Sequence, residues 1–569
     1  MRRLCLPLAA TLLASCTTPT LPTTRAEKTN YAETSHYDDV TAFFRDLPSP
    51  LMRVTSIGKT IEGREIPLVI FSDPPVSNPR EAAKLHKSTI LIQANIHAGE
   101  VEGKEAVMML SRRITYGDLR PLLKNLVVLF IPDYNADGNE KFSVENRTAQ
   151  YGPVTGVGIR ENNQGLDLNR DYMKLDAPES NALVRAYTAW DPLLTVDLHT
   201  TDGSYHGYHL TYSIPLNPSS DTALLAYHRN NLMPSIADAM LKKHSYRTEY
   251  YGNFTPTYAG ARPPGGAGRG GATPPATAQA TTAATQPASR PTAWYAFSAA
   301  PRVGQNYVGM RNRMTILSEA YSYLDFKTRV EVTEAFVEEI LKYSSAHAKE
   351  MQQVADRADT EMIQKARAGS MQIGLSYEPK ATAGGATQIL EAEIKRVQNP
   401  LSKRDMTVVL MDKLTPRSVY NYDDFAATRS VTAARAYLFR NEPGMAKVIA
   451  NLRAHGITVE TLSAPLETQV DSFAISAVNP LGTFQNHREE SIAGDFHPET
   501  VAFPAGSIVI RTDQHLGLLA AYLLEPQSDD GFTRWNFLDG YLGAGKTHPI
   551  YKLMSELKAP THPMGDEGE

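Results

Sequence analysis

Ser88-Thr-Ile-Leu-Ile-Gln-Ala-Asn-Ile-His-Ala-Gly-Glu100 is an apolar run that ends in a histidine and a carboxylate. A short run of this kind predicts a buried strand, and functional groups in open α/β sheets collect where strands end. A His and a Glu three residues apart suit two ligands of one catalytic zinc, and Gly99 lets the chain turn tightly between them. The same spacing occurs at His347 and at His487, so the pattern needs support from its context.

Three further apolar runs lead into polar residues in the same way. Residues 193–198 lead into His199, a candidate third metal ligand, and residues 314–318 lead into Glu319, a candidate general base. Residues 125–131 lead into a turn-rich loop. Each residue alone is more often structural than functional. Together, four strand ends at one edge of a sheet predict a zinc site with two histidines and one carboxylate.

The polar segment 160–170 is predicted to be a loop that crosses this site. The guanidinium of Arg170 is a fork of donors suited to a carboxylate, and Asn169 adds amide donors beside it. Arg160 could polarise a carbonyl group and hold the oxyanion formed when water attacks it. The alternative is a purely structural pairing of these arginines with a local aspartate such as Asp167.

Five motifs occur in a fixed order: His97-Ala-Gly-Glu100, Asn135-Ala-Asp-Gly138, Arg160 through Asn169-Arg170, Asp197-Leu-His199 and Ile316-Leu-Ser-Glu319. In order and approximate spacing they resemble the zinc metallocarboxypeptidases of the carboxypeptidase A type, over residues 37–350. The resemblance implies an α/β fold, an α/β/α sandwich around a mixed, mostly parallel sheet. This expectation agrees with the argument from strand ends.

The resemblance also implies a chemical role for seven residues, with one Zn²⁺ ion as cofactor. The substrates would be peptides with a free C-terminal carboxylate, shortened by one residue at a time. The implied roles are metal ligation by His97, Glu100 and His199, general base catalysis by Glu319, oxyanion stabilisation by Arg160, and carboxylate binding by Asn169 and Arg170.

Two features depart from the family pattern. Gly99 stands where family members often have an arginine, between the first two metal ligands. The family also uses a mobile tyrosine near the terminus of the substrate, for which Tyr295 and Tyr307 are both candidates here.

The same residues are compatible with other functions. The metal site could act on cell-wall peptides with D- or γ-linked bonds, as a carboxypeptidase or amidase, or deacylate N-acyl amino acids. A non-enzymatic alternative is a peptide-binding lipoprotein with an inactive metal site. Glu319 argues against that alternative, because a site without chemistry has no need of a general base.

Composition narrows the class of protein. Of 569 residues, 42% are hydrophobic and 21% charged, as in soluble globular proteins. The net charge of −5 and the lack of a basic stripe argue against a nucleic acid partner. Cys5 and Cys16 are the only cysteines, and both lie in the predicted leader, so neither a cysteine zinc site nor a cysteine nucleophile is expected.

The N-terminus has the pattern of an export signal. Residues 1–16 combine a basic start with an apolar segment too short to span a membrane. Leu13-Ala-Ser-Cys16 resembles the lipobox of bacterial lipoproteins, in which acyl chains on the cysteine anchor the protein to a membrane. Thr17 after Cys16 favours the outer membrane, with the protein facing the periplasm or the cell exterior. A plain secretory signal is the alternative.

Composition also predicts the domain organisation. Residues 17–36 are Thr/Pro-rich and predict a flexible tether, and residues 37–370 form the predicted catalytic domain. Within it, residues 259–291 are rich in Gly, Pro, Ala and Thr and predict a disordered insertion. Residues 371–569 are predicted to form a smaller C-terminal α/β domain of unknown role, with a strand, a helix and a strand over residues 435–462.

Residues 540–547, Gly-Tyr-Leu-Gly-Ala-Gly-Lys-Thr, satisfy the consensus of a phosphate-binding loop. A genuine loop of this kind opens a helix at the start of a large α/β domain. Fewer than 25 residues follow Thr547, which leaves no room for that domain. No nucleotide is therefore expected as a ligand.

Overall fold

The computed structural model describes residues 21–254 and 293–565. The predicted signal peptide 1–16 and the predicted insertion 259–291 lie outside the described residues. The strands of the described residues are β1 (Met52–Lys59), β2 (Glu65–Phe71), β3 (Ser88–Ala94), β4 (Leu126–Ile131), β5 (Leu194–Thr201), β6 (Leu210–Ser213), β7 (Thr248–Tyr250), β8 (Ala293–Tyr295), β9 (Met314–Tyr321), β10 (Gln372–Lys380), β11 (Ala386–Gln398), β12 (Asp405–Tyr422), β13 (Asp424–Thr432), β14 (Ala436–Phe439), β15 (Glu460–Leu462), β16 (Leu466–Phe484), β17 (His487–Phe503), β18 (Ile508–Arg511), β19 (Tyr551–Leu553) and β20 (Thr561–Pro563).

The helices range from single turns to a rod of 43 residues. Within the described residues they are α1 (Arg25–Lys28), α2 (Tyr37–Asp46), α3 (Pro79–Ala83), α4 (Glu102–Tyr116), α5 (Ala136–Asn139), α6 (Pro178–Trp190), α7 (Thr222–Tyr227), α8 (Met233–His244), α9 (Gly304–Met310), α10 (Phe326–Ala368), α11 (Ala446–Ala454) and α12 (Gly517–Leu524). None of these helices is both long and apolar enough to cross a lipid bilayer.

A central sheet carries the predicted site. In the described part of the chain it has eight strands in the order β1-β2-β4-β3-β5-β9-β6-β7. Strands β4, β3, β5 and β9 run parallel in the middle, and four of the seven pairings are parallel. The expected α/β fold around a mixed, mostly parallel sheet is confirmed.

Both faces of the central sheet are covered, and this is why its strands are continuous apolar runs. Successive side chains point to opposite faces, so Ile90 and Ile92 join one apolar cluster and Leu91 joins another. The first cluster includes α2, α4, α8 and α10. The second includes α6 and α9, and it continues without a break into the C-terminal part of the chain.

The strands β5 and β9 run further than the sequence predicts. His199 and Glu319 were expected just after these strands, and both lie within them, in register with each other. The strands continue because their pairing extends to Thr201 and Tyr321. The two functional side chains are thereby held by the sheet rather than by a loop.

The structure of residues 21–36 differs from the flexible tether that the sequence predicts. Thr24 caps α1, and its hydroxyl accepts a hydrogen bond from the backbone of Glu27. Thr34 and Ser35 are buried, and both donate hydrogen bonds to the carboxylate of Glu105 on α4. A Thr/Pro-rich composition does not show these long-range partners, so the prediction of a tether is wrong for this segment.

The C-terminal unit, residues 371–565, is built mainly from antiparallel hairpins. Seven strands form a second sheet in the order β17-β16-β19-β14-β18-β15-β20. The predicted strand, helix and strand correspond to β14, α11 and β15. The long hairpin of β16 and β17, with strands of 19 and 17 residues, was not predicted.

The phosphate-loop-like segment 540–547 has no strand–loop–helix context in this fold. Ile475 donates its backbone N–H to the carbonyl of Lys546, and Thr547 forms a bridge with Ala474, so the segment lies along β16. Residues 542–565 contain no helix.

Candidate metal and catalytic site

Three side chains converge at one edge of the central sheet. The Nδ1 atoms of His97 and His199 lie 3.2 Å apart. The Glu100 carboxylate approaches His97 Nδ1 at 3.0 Å and His199 Nδ1 at 2.9 Å. All three residues are at most 4% exposed. Two ring nitrogens and a carboxylate that face one another in a dry environment require a cation between them, either a proton or a metal ion.

The remaining ring nitrogens are held by two aspartates. His97 Nε2 donates to Asp167 at 3.0 Å, and His199 Nε2 lies 2.9 Å from the Asp197 carboxylate. A carboxylate partner at one nitrogen fixes the tautomer, so that the other nitrogen presents its lone pair to the centre of the site. Burial opposes protonation of His199, but Asp197 and Glu100 raise its pKa well above the usual range. The site therefore attracts positive charge.

Glu319 lies beside this group on the neighbouring strand. It is the register partner of His199, and partners on adjacent strands project from the same face of the sheet. Burial and the nearby Glu100 carboxylate raise the pKa of Glu319 to about 8, although His199 and Arg160 oppose this rise. A carboxylate whose pKa is raised toward neutrality is suited to accept and return a proton.

Asp167 connects the histidine to the predicted substrate loop. One of its oxygens accepts from His97 Nε2 and from the backbone N–H of Asn169, both at 3.0 Å. The other oxygen pairs with the Arg160 guanidinium at 2.9 Å. Burial opposes ionisation of Asp167, but the charges of Arg160 and His97 hold its pKa well below the usual range. The structural pairing considered for the arginines is thus present for Arg160, which also lies 3.6 Å from Glu100.

Arg170 is different, because it forms no ion pair with a carboxylate in the described part of the chain. Its guanidinium donates to the backbone carbonyl of Asn169 at 2.7 Å. Burial and the cations Arg160 and Arg302 lower its pKa, and Asp167 offsets this only in part. The Asn169 side chain is oriented by the backbone N–H of Gly304, which donates to it at 2.9 Å. A half-buried guanidinium without a carboxylate partner, beside an oriented amide, is suited to binding an anion.

Arg147 is a site residue that the sequence did not reveal. Its guanidinium donates to the Glu100 carboxylate, and its side chain lies across Gly99. A Cβ atom at residue 99 would stand 2.6 Å from Arg147 Nε and 3.2 Å from the carbonyl oxygen of Gly158. The glycine that departs from the family pattern therefore makes space for an arginine supplied by another loop. No local pattern around Arg147 points to this contact.

Tyr251, rather than either predicted tyrosine, is close enough to Glu319 for the two groups to interact electrostatically. Burial and the charge of Glu319 raise the pKa of Tyr251 to about 12, and Asn253 donates to its hydroxyl at 3.0 Å. Tyr307 is fully buried, and its hydroxyl lies 2.8 Å from His455 Nδ1. Tyr295 stacks on Tyr422. The long insertion between Tyr251 and Tyr295 makes sequence spacing uninformative for this tyrosine.

A second group with metal-ligand chemistry, His244 with Glu338 and Glu339, lies between α8 and α10. Lys243 pairs with Glu339 at 2.7 Å, and Lys342 pairs with both glutamates. These ammonium groups already balance the carboxylates, so this group is an ordinary ion-pair network.

Known proteins with similar sequences include members of the zinc carboxypeptidase family, which agrees with the metal-ligand chemistry of the site. Residues 40–268 match the sequence profile of the Peptidase M14 family, zinc carboxypeptidase. Over this segment the chain is therefore similar to zinc carboxypeptidases. Human carboxypeptidase Z is 31% identical over 129 residues, which is 22% of this chain and 18% of that protein. Mouse carboxypeptidase D is 27% identical over 180 residues, which is 29% of this chain and 12% of that protein.

The stretches of this chain that align thus span less than a fifth of each of these two relatives. Among solved structures, a metallo-carboxypeptidase from Burkholderia cenocepacia aligns with a TM-score of 0.37 and 17% identity, over 54% of this chain and 68% of that one. The carboxypeptidase A of Helicoverpa armigera aligns with a TM-score of 0.37 and 15% identity, over 56% of this chain and 75% of that one.

Proposed function

We propose that this protein is a zinc-dependent metallocarboxypeptidase that removes single residues from peptides with a free C-terminal carboxylate. One observation carries the proposal: the half-buried guanidinium of Arg170 has no carboxylate partner among the described residues. It lies in the same loop as Asp167, which contacts the histidine–glutamate group. Among the described residues no carboxylate pairs with Arg170, and the C-terminal carboxylate of a bound peptide would supply that negative charge.

The residues at the sheet edge fit a single zinc ion. His97, Glu100 and His199 each offer one ligand atom, and these atoms lie within 4.8 Å of one another. Two imidazoles and one carboxylate are a common ligand set of catalytic zinc, which leaves a coordination position open. A zinc ion bound there supplies Lewis acidity that makes water nucleophilic near neutral pH.

The chain's own residues supply the remaining chemistry. The Glu319 carboxylate takes a proton from the attacking water and returns it to the departing amine. The Arg160 guanidinium stabilises the negative charge that develops on the carbonyl oxygen. Asn169 and Arg170 bind the terminal carboxylate, which places the last peptide bond, and no other, at the base. Single-residue removal follows from this arrangement.

Tyr251 is positioned to assist at the same end of the site. Its side chain is close enough to both Glu319 and Arg170 for their charges to interact with its hydroxyl. A phenol beside a carboxylate-binding arginine can donate a further hydrogen bond to the substrate terminus. We assign it to substrate binding.

A peptide assay tests the proposal directly. Zinc-loaded protein from Thr17 onward is incubated with paired peptides that differ only in a free or amidated C-terminus, and the products are read by mass spectrometry. We expect loss of single residues from the free acids alone, abolished by a chelator and by Glu319→Gln. No trimming of any free-acid L-peptide contradicts the proposal, and trimming of D- or γ-linked cell-wall peptides instead redirects it to that substrate class.

We further propose that the protein is exported and anchored to a membrane through lipid on Cys16. The support is the Leu13-Ala-Ser-Cys16 motif and the apolar segment before it. In cells, Cys16→Ser is expected to release the protein from the membrane fraction, whereas Cys5→Ser leaves it bound. Membrane association that survives Cys16→Ser contradicts the anchor.

A further inference from the structure

The tip of the β16–β17 hairpin reaches the substrate loop of the catalytic domain. The side-chain oxygen of Gln485 accepts a hydrogen bond from the backbone N–H of Asp167 at 3.0 Å. Gln485 and Asn486 form the two-residue turn, with φ of 49° and 66°. Both positive values match the type of turn that joins long twisted strands tightly. A residue 318 positions away along the chain thus contacts the backbone of the site.

The contacted residue is central to the site. Asp167 accepts from His97 Nε2, from the backbone of Asn169 and from the Arg160 guanidinium. Its backbone N–H is the donor that Gln485 satisfies. The position of this one residue therefore affects a metal-ligand candidate, the oxyanion arginine and the start of the carboxylate-binding pair.

A second contact holds the far end of the same loop. His487, the first residue of β17, places its Nε2 2.7 Å from the Asp176 carboxylate, and its Nδ1 faces Asn536 at 3.1 Å. The hydrogen bond to Asp176 raises the pKa of His487. The hairpin therefore contacts the loop at Asp167 and again at Asp176.

A third contact holds the segment on the other side of Asn169. Arg302 is buried, and it pairs with Glu489 at 3.1 Å and with Asp530 at 2.8 Å, both in the C-terminal unit. Its guanidinium also stacks over the ring of Trp535. Two residues later, Gly304 donates the hydrogen bond that orients Asn169. The C-terminal unit thereby fixes both backbone segments that adjoin the amide.

We propose that the C-terminal unit is part of the substrate site, with Gln485 as a positioning residue for the loop that carries Asn169 and Arg170. This inference rests on the proposed carboxypeptidase function and assigns the unit a role in recognising the terminal carboxylate. Gln485 acts through Asp167 and touches no reacting atom, so its loss is expected in substrate binding. The chemical step depends on Glu319 and is expected to change little.

Three variants separate this role from general stability. Gln485→Asn keeps an amide and tolerates positive φ, but its side chain is one methylene too short to reach Asp167. Gln485→Glu keeps both the length and an acceptor oxygen. Asn486→Gly changes the adjacent, exposed turn residue without removing any contact to the loop. All three are made in the full chain and compared in melting temperature first.

We expect Gln485→Asn to raise KM for a free-acid peptide about three- to tenfold, the size of one lost hydrogen bond, with kcat within about twofold. Amide hydrogen exchange in residues 160–170 is expected to become faster in Gln485→Asn. Gln485→Glu and Asn486→Gly are expected to match the wild type in both measurements. Unchanged KM and unchanged exchange in Gln485→Asn overturn the proposal, as does a fall in kcat at constant KM.

The exchange measurement also keeps the two proposals separable. If the wild type trims no peptide, the proposed function fails, and the exchange rates of residues 160–170 still decide whether the hairpin holds the loop. Faster exchange in Gln485→Asn alone supports the positioning role in that case. Equal exchange in all four proteins overturns it.

Discussion

The two halves of the site differ in how the chain assembles them. The chemical half consists of His97, Glu100, His199 and Glu319, which sit on or directly after neighbouring strands of the central sheet. The recognition half consists of Asn169 and Arg170, on an irregular loop that is held by residues far away along the chain. Strand register fixes the first half, and long-range contacts with loops and the C-terminal unit fix the second.

We expect the two halves to control different kinetic constants. A rigid sheet places the groups that act in the transition state, so changes there are expected to lower kcat. The loop places the groups that bind the substrate terminus, so changes there are expected to raise KM. Four predictions follow this division, from the largest effect to the smallest.

Glu319→Gln tests the chemical half most severely. The amide keeps the shape of the side chain but cannot accept the proton of the attacking water. We expect kcat to fall by about 10²–10⁴-fold with KM close to that of the wild type, measured by release of the terminal residue. Glu249→Gln, on the edge strand of the same sheet, is the matched control and should keep full activity. Retained kcat in Glu319→Gln would remove this residue from the mechanism.

Arg170→Met tests the recognition half. Methionine keeps much of the apolar volume and removes the charge that pairs with the peptide terminus. We expect kcat/KM to fall by about 10²-fold, mainly through KM. The melting temperature should not drop, because Arg170 has no carboxylate partner among the described residues. Arg185→Met, at an exposed position on α6, is the control. A lower melting temperature with unchanged KM contradicts the assignment.

Gly99→Ala tests a contact between the two halves of the site. Residue 99 lies between His97 and Glu100 but contacts the loop that carries Arg147. The new Cβ would stand 2.6 Å from Arg147 Nε, so Arg147 must move away from Glu100. We expect kcat to fall about tenfold, on the scale of one displaced charged hydrogen bond. Gly540→Ala, which has open space around the new Cβ, should have no effect. Equal activity of the two variants would show that Arg147 has no part in catalysis.

The pH profile gives the smallest effect. Burial and Glu100 raise the pKa of Glu319 to about 8, and a divalent cation at the adjacent ligands lowers it again. The base is active when deprotonated, so kcat/KM should rise with pH, with a midpoint below 8 in the zinc-loaded protein. Circular dichroism over the same range checks that the fold is intact. A profile that is flat from pH 5 to 8 would contradict the role of Glu319.

Much of the chemical half could be predicted from sequence. Each of its residues follows or ends a short apolar run, and the carboxyl ends of parallel strands meet at one edge of a sheet. The extent of the strands could not be predicted, because His199 and Glu319 are polar and yet lie within β5 and β9. Their place in the strands follows from pairing with each other, which no local pattern shows.

For the recognition half, the sequence predicted which residues bind a carboxylate but not the contacts that hold them in place. Asn169 and Arg170 suit a carboxylate, but their supports, Gly304 and Gln485, come from segments without local signals. Arg147 was missed for the same reason, whereas Tyr251 was missed because the insertion that follows it makes spacing uninformative. The domain boundary expected near residue 370 stays a prediction, since one apolar cluster joins both parts of the chain.

Recognition of the peptide terminus by Arg170 is tested most directly by a binding measurement in a protein that cannot consume its ligand. Zinc-loaded Glu319→Gln is titrated by calorimetry with a short peptide and with its C-terminal amide, and Arg170→Met in the same background is titrated alongside. We expect the free acid to bind at least about tenfold more tightly than the amide, and Arg170→Met to remove the difference. Equal affinity of Glu319→Gln for acid and amide would contradict the central claim that Arg170 recognises the peptide terminus.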